Sequence, residues 1–289
     1  MKIKETHIVP AIAEKIRLQE YAVSIFTSLP TKSSLKKALK KELILLNGQT
    51  AKTSDWIHEG QKIELLEPKI EEKKVFTLKL EIIYEDEFLA IIHKPAGIPT
   101  SGNYFKTIEN ALPFNLKESK AKDALPAPLP VHRLDNPTSG LLLIAKSKAV
   151  QVDLNRLFEE KKIQKSYHAL VFGSLSASVI LKDKIEEKDA ETHIEVLKHF
   201  QLKNENFSLV KAFPKTGRTH QIRIHLAKHR NPIVGDKLYG KPSKIIKKGG
   251  LFLAATGLEF IHPVNKNNLN LELPLPKKFR EIKSFSKNT

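Results

Sequence analysis

Val131–Lys146 reads VHRLDNPTSGLLLIAK, a charged turn followed at once by an apolar run. Leu141, Leu142, Leu143 and Ile144 form an unbroken apolar run, the pattern of a short strand covered on both faces. Asn136-Pro137 ahead of the run is a turn signal, and Gly140 permits a sharp bend or a close backbone approach. Asp135 is therefore expected on a loop at the mouth of a rigid element, beside Arg133 and His132. Catalytic carboxylates are often displayed in that way. A surface loop with a local Arg–Asp pair fits this stretch, taken alone, equally well.

The surroundings narrow the choice. The chain has 289 residues, and its 40% apolar content supports a sizeable core in one large domain or two smaller ones. It has no cysteine, which excludes disulfides, thiolate metal sites and cysteine nucleophiles. No apolar run reaches the length of a membrane span, and the N-terminus has no apolar signal core, so a cytoplasmic protein is expected. Lys and Arg number 49 against 32 Asp and Glu, a net charge of +17. Such an excess favours a polyanionic partner, with nucleic acid ahead of a membrane surface because no segment is clearly amphipathic with aromatic anchors.

Before the central stretch, residues 1–26 show a short strand-like lead-in and little else. Then TKSSLKKALKKELILLNGQTAK predicts a helix capped by Ser33 or Ser34, with Leu35, Ala38, Leu39 and Leu43 at helical spacing. Lys36, Lys37, Lys40 and Lys41 fall on its other faces, as a solvated helix face or an RNA-binding one. Ile44–Leu46, Asn47-Gly48 and the Gly60-centred turn that follows predict strands joined by tight turns. Residues 68–76 are charged and read as a linker. Leu78–Tyr84 and Phe88–His93 predict two strands, broken sharply by Lys94-Pro95-Ala96-Gly97. Residues 102–130, with prolines at 113, 126, 128 and 130, read as loop around a short helix near Ile108–Leu112.

Beyond the central stretch, Ser147 is placed to cap a helix running to about Lys162. Lys165–Gly173 alternates as a strand, with Tyr167, Ala169 and Val171 on one side. Taken alone, Tyr167 suits a core role better than a functional one. Phe207–Phe213 predicts another strand, and GRTHQIRIHLAKHR a helix with Ile222 and Leu226 on its apolar side. Arg223 borders that side and would turn inward toward a carboxylate. Arg218 is expected at the helix start, where backbone N–H groups and a cation hold phosphate. His225 and His229 have the spacing of a metal pair, but no HExxH accompanies them and no metal is expected. Leu251–Phe260 predicts a last strand, and the basic KKFREIKSFSK a solvated tail or an RNA contact.

The chemistry is bounded by subtraction. There is no GxxxxGK[ST] loop, no GxGxxG after a strand and no GxSxG elbow, so neither a nucleotide cofactor nor a serine nucleophile is expected. A loop aspartate, nearby arginines, a strand tyrosine and a basic surface remain. An unaided carboxylate serves as nucleophile or base, and an arginine partner orients it. A fitting task is attack at, or proton abstraction from, a nucleoside drawn out of its stack onto an aromatic ring.

HRLDNPTSGLLLIAK resembles the signature of RluA-type pseudouridine synthases, in which HRLD and TSGLL surround the catalytic aspartate. Further stretches agree in identity and order: the KPAG turn at Lys94–Gly97, the K-x-Y-x-A-x-V-x-G strand at Lys165–Gly173, GRTHQIRIHL at Gly217–Leu226 and PI-x-GD-x-x-YG at Pro232–Gly240. Residues 31–66 also resemble a small basic helix-plus-hairpin RNA-binding module that accompanies many RNA-modifying enzymes.

The resemblance implies an α+β protein. A pseudouridine synthase catalytic domain on a mixed, mostly antiparallel sheet would span residues 77–289, after an N-terminal region, 1–67, carrying the module at about 27–67. It implies isomerisation of uridine to pseudouridine in structured RNA, ribosomal RNA ahead of transfer RNA, by a monomer without metal or organic cofactor. By motif match Asp135 is the essential carboxylate, Tyr167 the ring that stacks on the base and Arg223 the partner of Asp135. Arg133 would help to flip the nucleotide or hold its phosphate, and Arg218 would be a further phosphate contact. The alternative is a non-catalytic RNA-binding or RNA-chaperone protein that keeps the fold.

Overall fold

The computed structural model describes residues 2–23, 25–67, 75–175, 178–202, 204–242 and 249–280. The chain divides into two compact units, Met1–Lys73 and Lys74–Thr289. The expected linker falls mostly on residues outside those described.

In the first unit, β1 (Ile3–Ile8), β6 (Lys62–Leu66), β3 (Ile44–Leu46) and β4 (Gln49–Thr50) form an antiparallel sheet in that order. β2 (Ile16–Arg17) pairs with β5 (Trp56–Ile57), and α1 (Leu18–Tyr21) and α2 (Lys32–Lys40) complete the unit. The cap of α2 is Thr31, one turn earlier in role than the serines suggested. Its side chain accepts from the Ser34 backbone while Ser34 reaches back, a reciprocal capping box. The helix ends at Lys40, so Leu43 lies beyond it. Leu43 N–H returns to the Ala38 carbonyl as Glu42 takes a left-handed conformation. Leu35, Ala38 and Leu39 are buried with Val9, Leu18, Phe26, Ile44 and Ile63. The strand-like lead-in expected from the sequence is β1, and Val9, Leu18, Ala22 and Phe26 share one core with the helix and hairpin.

The second unit is built on a mixed, mostly antiparallel sheet, so the α+β architecture is as expected. Its strands are β7 (Glu81–Glu85), β8 (Leu89–Lys94), β9 (Ala124–Pro130), β10 (Ser139–Ser147), β11 (Gln164–Phe172), β12 (Val179–Leu181), β13 (Thr192–Leu202), β14 (Glu205–Pro214), β15 (Leu253–Ile261) and β16 (Asn268–Glu272). The order is β12-β13-β14-β11-β15-β10-β8-β7, with β16 on β15 and β9 on β10. Only β10 and β15 run parallel among the described pairs. There Gly140 has φ +127°, and a Cβ on it would stand 2.0 Å from the Ala255 carbonyl oxygen. Only glycine lets the strand after the Asp135 loop come so close.

Among the described elements, α3 (Ile108–Asn115), α4 (Lys148–Glu159) and α5 (Gln221–Lys228) pack on this sheet. β10 is covered on both faces, as its apolar run requires. Leu141 and Leu143 pack with Val150 and Leu154 of α4, whereas Leu142 and Ile144 pack with Ile108, Ala111 and Leu112 of α3. Ser147 caps α4 as expected, accepting from the Val150 backbone. Residues 124–130 depart from expectation, forming a strand where prolines suggested loop. β9 pairs with β10 alone, so Pro126, Pro128 and Pro130 sit on an edge strand, where missing N–H groups cost least. The basic tail also departs at its start: Phe279 is buried against Phe252, ring centres 5.4 Å apart. Residues 281–289 lie outside those described. No helix among the described residues is long and apolar enough to cross a membrane.

Candidate active site

Three anchors fix the loop bearing Asp135. On one side, Thr100 Oγ1 donates to the Leu134 carbonyl and accepts from the Leu134 N–H, at 3.1 and 3.2 Å. On the other, Lys94 ends β8 fully buried and donates to the carbonyls of Pro95, Asn136 and Thr138 at 2.9, 3.2 and 2.8 Å. Burial pulls the Lys94 pKa down to about 8, opposed by the nearby Asp135 charge. At neutral pH it is therefore an ammonium with a carbonyl for each N–H. Behind the loop, His132 Nε2 accepts from the Leu143 N–H at 3.0 Å, and its ring packs on Phe158. Burial first, and the Lys165 charge second, push the His132 pKa down to about 3, so it is a neutral acceptor.

Arg223 reaches Asp135 from α5. Its Nη1 is 3.2 Å from Asp135 Oδ2, while Nε and Nη2 each donate to Asp236 at 2.8 Å in a two-pronged pair. Burial alone would lower the Arg223 pKa, but hydrogen bonds and charge from Asp236, then Asp135, outweigh it and raise it. Burial raises the Asp236 pKa, yet Arg223 and the backbone N–H groups of Leu238 and Tyr239 leave it lowered. Tyr239 also packs under the guanidinium, 5.2 Å from its ring centre, and its hydroxyl hydrogen-bonds His220 Nδ1 at 3.0 Å. His220, at φ +56° just before α5, points Nε2 to within 3.9 Å of Asp135 Oδ1.

Tyr167 faces the same space from β11. Opposite it, β15 carries one extra residue: Ser166 pairs with Gly257 but Tyr167 with Ala255, leaving Thr256 as a bulge. Bulges re-aim neighbouring side chains and are frequent beside active sites. The Tyr167 hydroxyl has no hydrogen-bond partner among the described residues. Burial, reinforced by the Asp135 charge, raises its pKa, so the phenol is neutral at physiological pH. Asp135, Tyr167 and Arg223 line one cleft of about 510 Å³, with Arg133 and Arg218 exposed on its walls. That volume falls among small-ligand sites, roughly 300–1,000 Å³.

The residues nominated from the sequence thus divide in two. Asp135, Tyr167, Arg223, Arg133 and Arg218 come together, whereas Lys36, Lys37, Lys40 and Lys41 are exposed on or just after α2 in the other unit. Arg218 is not at a helix start. α5 begins at Gln221, and Arg218 Nε donates to the Asp189 carbonyl at 3.0 Å. Gln221 holds that turn, accepting from Arg218 N–H and donating to the Glu191 carbonyl. The spaced histidines hold structure: buried His225 bonds Thr192 Oγ1 and the Asp183 carbonyl, and His229 bonds the Asp183 carboxylate. No group of three or more His, Cys, Asp or Glu suited to a metal occurs among the described residues. Lys94, Asp236, His220 and Tyr239 carry no individual role in the sequence reading; their signal was the KPAG turn, the GRTHQ element and the PIVGDKLYG segment.

The profile of the RNA pseudouridylate synthase family matches residues 89–228, which include the Asp135 loop, β11 and α5. An uncharacterised RNA pseudouridine synthase of Aquifex aeolicus is 31% identical, covering 99% of this chain and 98% of its own. Ribosomal large subunit pseudouridine synthase D of Xylella fastidiosa is 33% identical, over 85% of this chain and 82% of its own. Ribosomal large subunit pseudouridine synthase C of Vibrio cholerae is also 33% identical, over 83% and 80%. Among solved structures, human RNA pseudouridylate synthase domain containing 4 shares the fold, with a TM-score of 0.58 and 24% identity over 72% of this chain and 93% of its own. The chain belongs to the RluA-type family of RNA pseudouridine synthases.

Proposed function

We propose that this protein isomerises uridine to pseudouridine in ribosomal RNA, with Asp135 as the essential carboxylate. The observation that carries the reading is the convergence of Asp135, Arg223 and Tyr167, from a loop, a helix and a strand, on one cleft. The reaction breaks the bond from ribose C1′ to N1, rotates the uracil, joins C1′ to C5, releases the C5 proton and leaves a proton on N1. Product and substrate are isomers, so atoms and electrons balance without oxidant, reductant or co-substrate. The chemistry therefore asks for positioning and charge, which the chain's own residues supply.

Asp135 is the group that acts on the flipped nucleoside. Arg223 orients it and offsets its charge, and is itself held by Asp236. The Tyr167 ring receives the base, and its neutral hydroxyl is available to hold or pass the proton leaving C5. Arg133 and Arg218 are placed to contact the flanking backbone. Lys36, Lys37, Lys40 and Lys41 add sequence-independent phosphate contacts from the first unit. The relatives named for the ribosomal large subunit favour ribosomal over transfer RNA as substrate.

The test is a map of pseudouridine in both RNA classes from cells lacking the gene. A large-subunit ribosomal position that loses pseudouridine, regained with the wild-type gene but not with Asp135→Asn, is the expected result. Unchanged maps in both RNA classes would instead favour a non-catalytic RNA-binding role.

A further inference from the structure

Three lysines line the cleft without a use in the chemistry above: Lys161 and Lys215 are exposed, and Lys165 is half-buried. Lys165 lies two residues before Tyr167 on β11, hence on the same face of the strand, and its side chain lines the same cleft. Its ammonium lies 5.7 Å from the centre of the Phe158 ring, whose neighbour is the neutral imidazole of His132. It makes no hydrogen bond among the described residues, and no carboxylate of theirs lies within 4.0 Å of it. Asp135 is committed to Arg223, and Glu159, on the same cleft, is exposed. Burial lowers the Lys165 pKa.

A partly desolvated, unpaired ammonium costs free energy in the empty protein, and an apolar residue of similar volume would not. Such an arrangement is useful when the counter-ion arrives with the ligand. We propose that Lys165 is a phosphate-binding residue of the cleft, its counter-ion being a phosphodiester beside the target uridine. The proposal rests on the RNA-isomerase reading above. It separates Lys165 from Arg133 and Arg218, which are exposed and meet the backbone at the rim. Seated deeper and against aromatic rings, Lys165 is screened less by salt and takes the phosphate drawn in with the flipped nucleotide.

The experiment uses the full chain and an in vitro transcript of large-subunit ribosomal RNA carrying 5-tritiated uridine. Tritium release is followed for wild type, Lys165→Met and Lys165→Arg over a range of KCl, alongside thermal unfolding without RNA. The expected result for Lys165→Met is a KM raised about tenfold, the loss of one charge-assisted contact. Most of the loss falls on KM rather than kcat. Its plot of log KM against log salt flattens by about 0.7–0.9, one fewer phosphate neutralised. Its Tm without RNA is equal to or above wild type, and Lys165→Arg recovers most of the KM.

An unchanged KM and salt slope in Lys165→Met, with an active wild type, overturns the proposal. So does a loss confined to kcat, or a lowered Tm, because each makes Lys165 a chemical or structural group. If wild type binds the transcript but releases no tritium, the isomerase reading fails separately. The salt slopes of binding by wild type and Lys165→Met then decide the phosphate role, equal slopes overturning it.

Discussion

Arg223 and Asp236 form a buried two-pronged ion pair, both contacts 2.8 Å, that leaves Nη1 of the same guanidinium for Asp135 at 3.2 Å. Asp236 thus aims the group that aims Asp135. Asp236→Asn keeps the volume but removes the charge, and one prong of the pair loses its acceptor. The expected outcome is a fall in kcat of about 10–100-fold and a stability loss of about 3–5 kcal/mol, the range for breaking a buried pair. Steady-state tritium release and urea unfolding measure the two effects. Wild-type kcat in a folded variant would show that Arg223 holds its aim without Asp236.

Lys94 ties β8 to the turn that follows Asp135, through the Asn136 and Thr138 carbonyls. Lys94→Met fills similar space but takes the ammonium from three carbonyls, and the buried one, that of Thr138, loses its donor at about 1–3 kcal/mol. The turn should loosen, so kcat falls more than KM rises, and urea unfolding shifts to lower concentration. Lys94→Arg should not restore activity, because the planar fork has no room in a site shaped for an ammonium. Restoration by arginine would mean that charge alone is required.

His132 makes stability sensitive to acid in a defined window. Its pKa is about 6.5 when unfolded and about 3 when folded, because burial opposes its protonation. The unfolded chain therefore binds the extra proton between those values, and stability falls as pH drops through the window. The contribution is fully present above about pH 6.5. His132→Gln retains a carbonyl to accept from Leu143 and has no such titration. Between pH 6.5 and 5, its unfolding free energy should fall less steeply than that of wild type, by up to about 1.4 kcal/mol per pH unit. Urea titrations at pH 7, 6 and 5 check this; parallel curves would contradict it.

Local signals made much of this legible. Four apolar residues in β10 required cover on both faces, and α3 and α4 supply it. Ser147 sat one residue ahead of a helical pattern and caps it. Arg223 could be marked as an inward arginine because it bordered an apolar stripe, but its second carboxylate, Asp236, lies 13 residues away on a turn. Nothing in the local pattern joins them. The Thr256 bulge that sets Tyr167 is a mismatch between two strands far apart in sequence, invisible to alternation within either. Prolines hid β9 because proline argues against a central strand and says nothing against an edge. Arg218 was misplaced because the GRTHQ run was read as helix throughout. Its first residues form a turn instead, closed by Gln221 and the left-handed His220.

Tritium release by wild type and Asp135→Asn tests most directly whether the Asp135 carboxylate carries out uridine isomerisation. The substrate is 5-tritiated ribosomal RNA from cells lacking the gene, so that the natural target is still unmodified. Asparagine keeps the volume and one acceptor for Arg223, and binding of the RNA should be retained. Stoichiometric release by wild type is expected, with a loss of at least about 10⁴-fold in the variant, the scale of removing an essential reacting group. Equal release by both proteins would leave the enzyme class standing and contradict the role of Asp135.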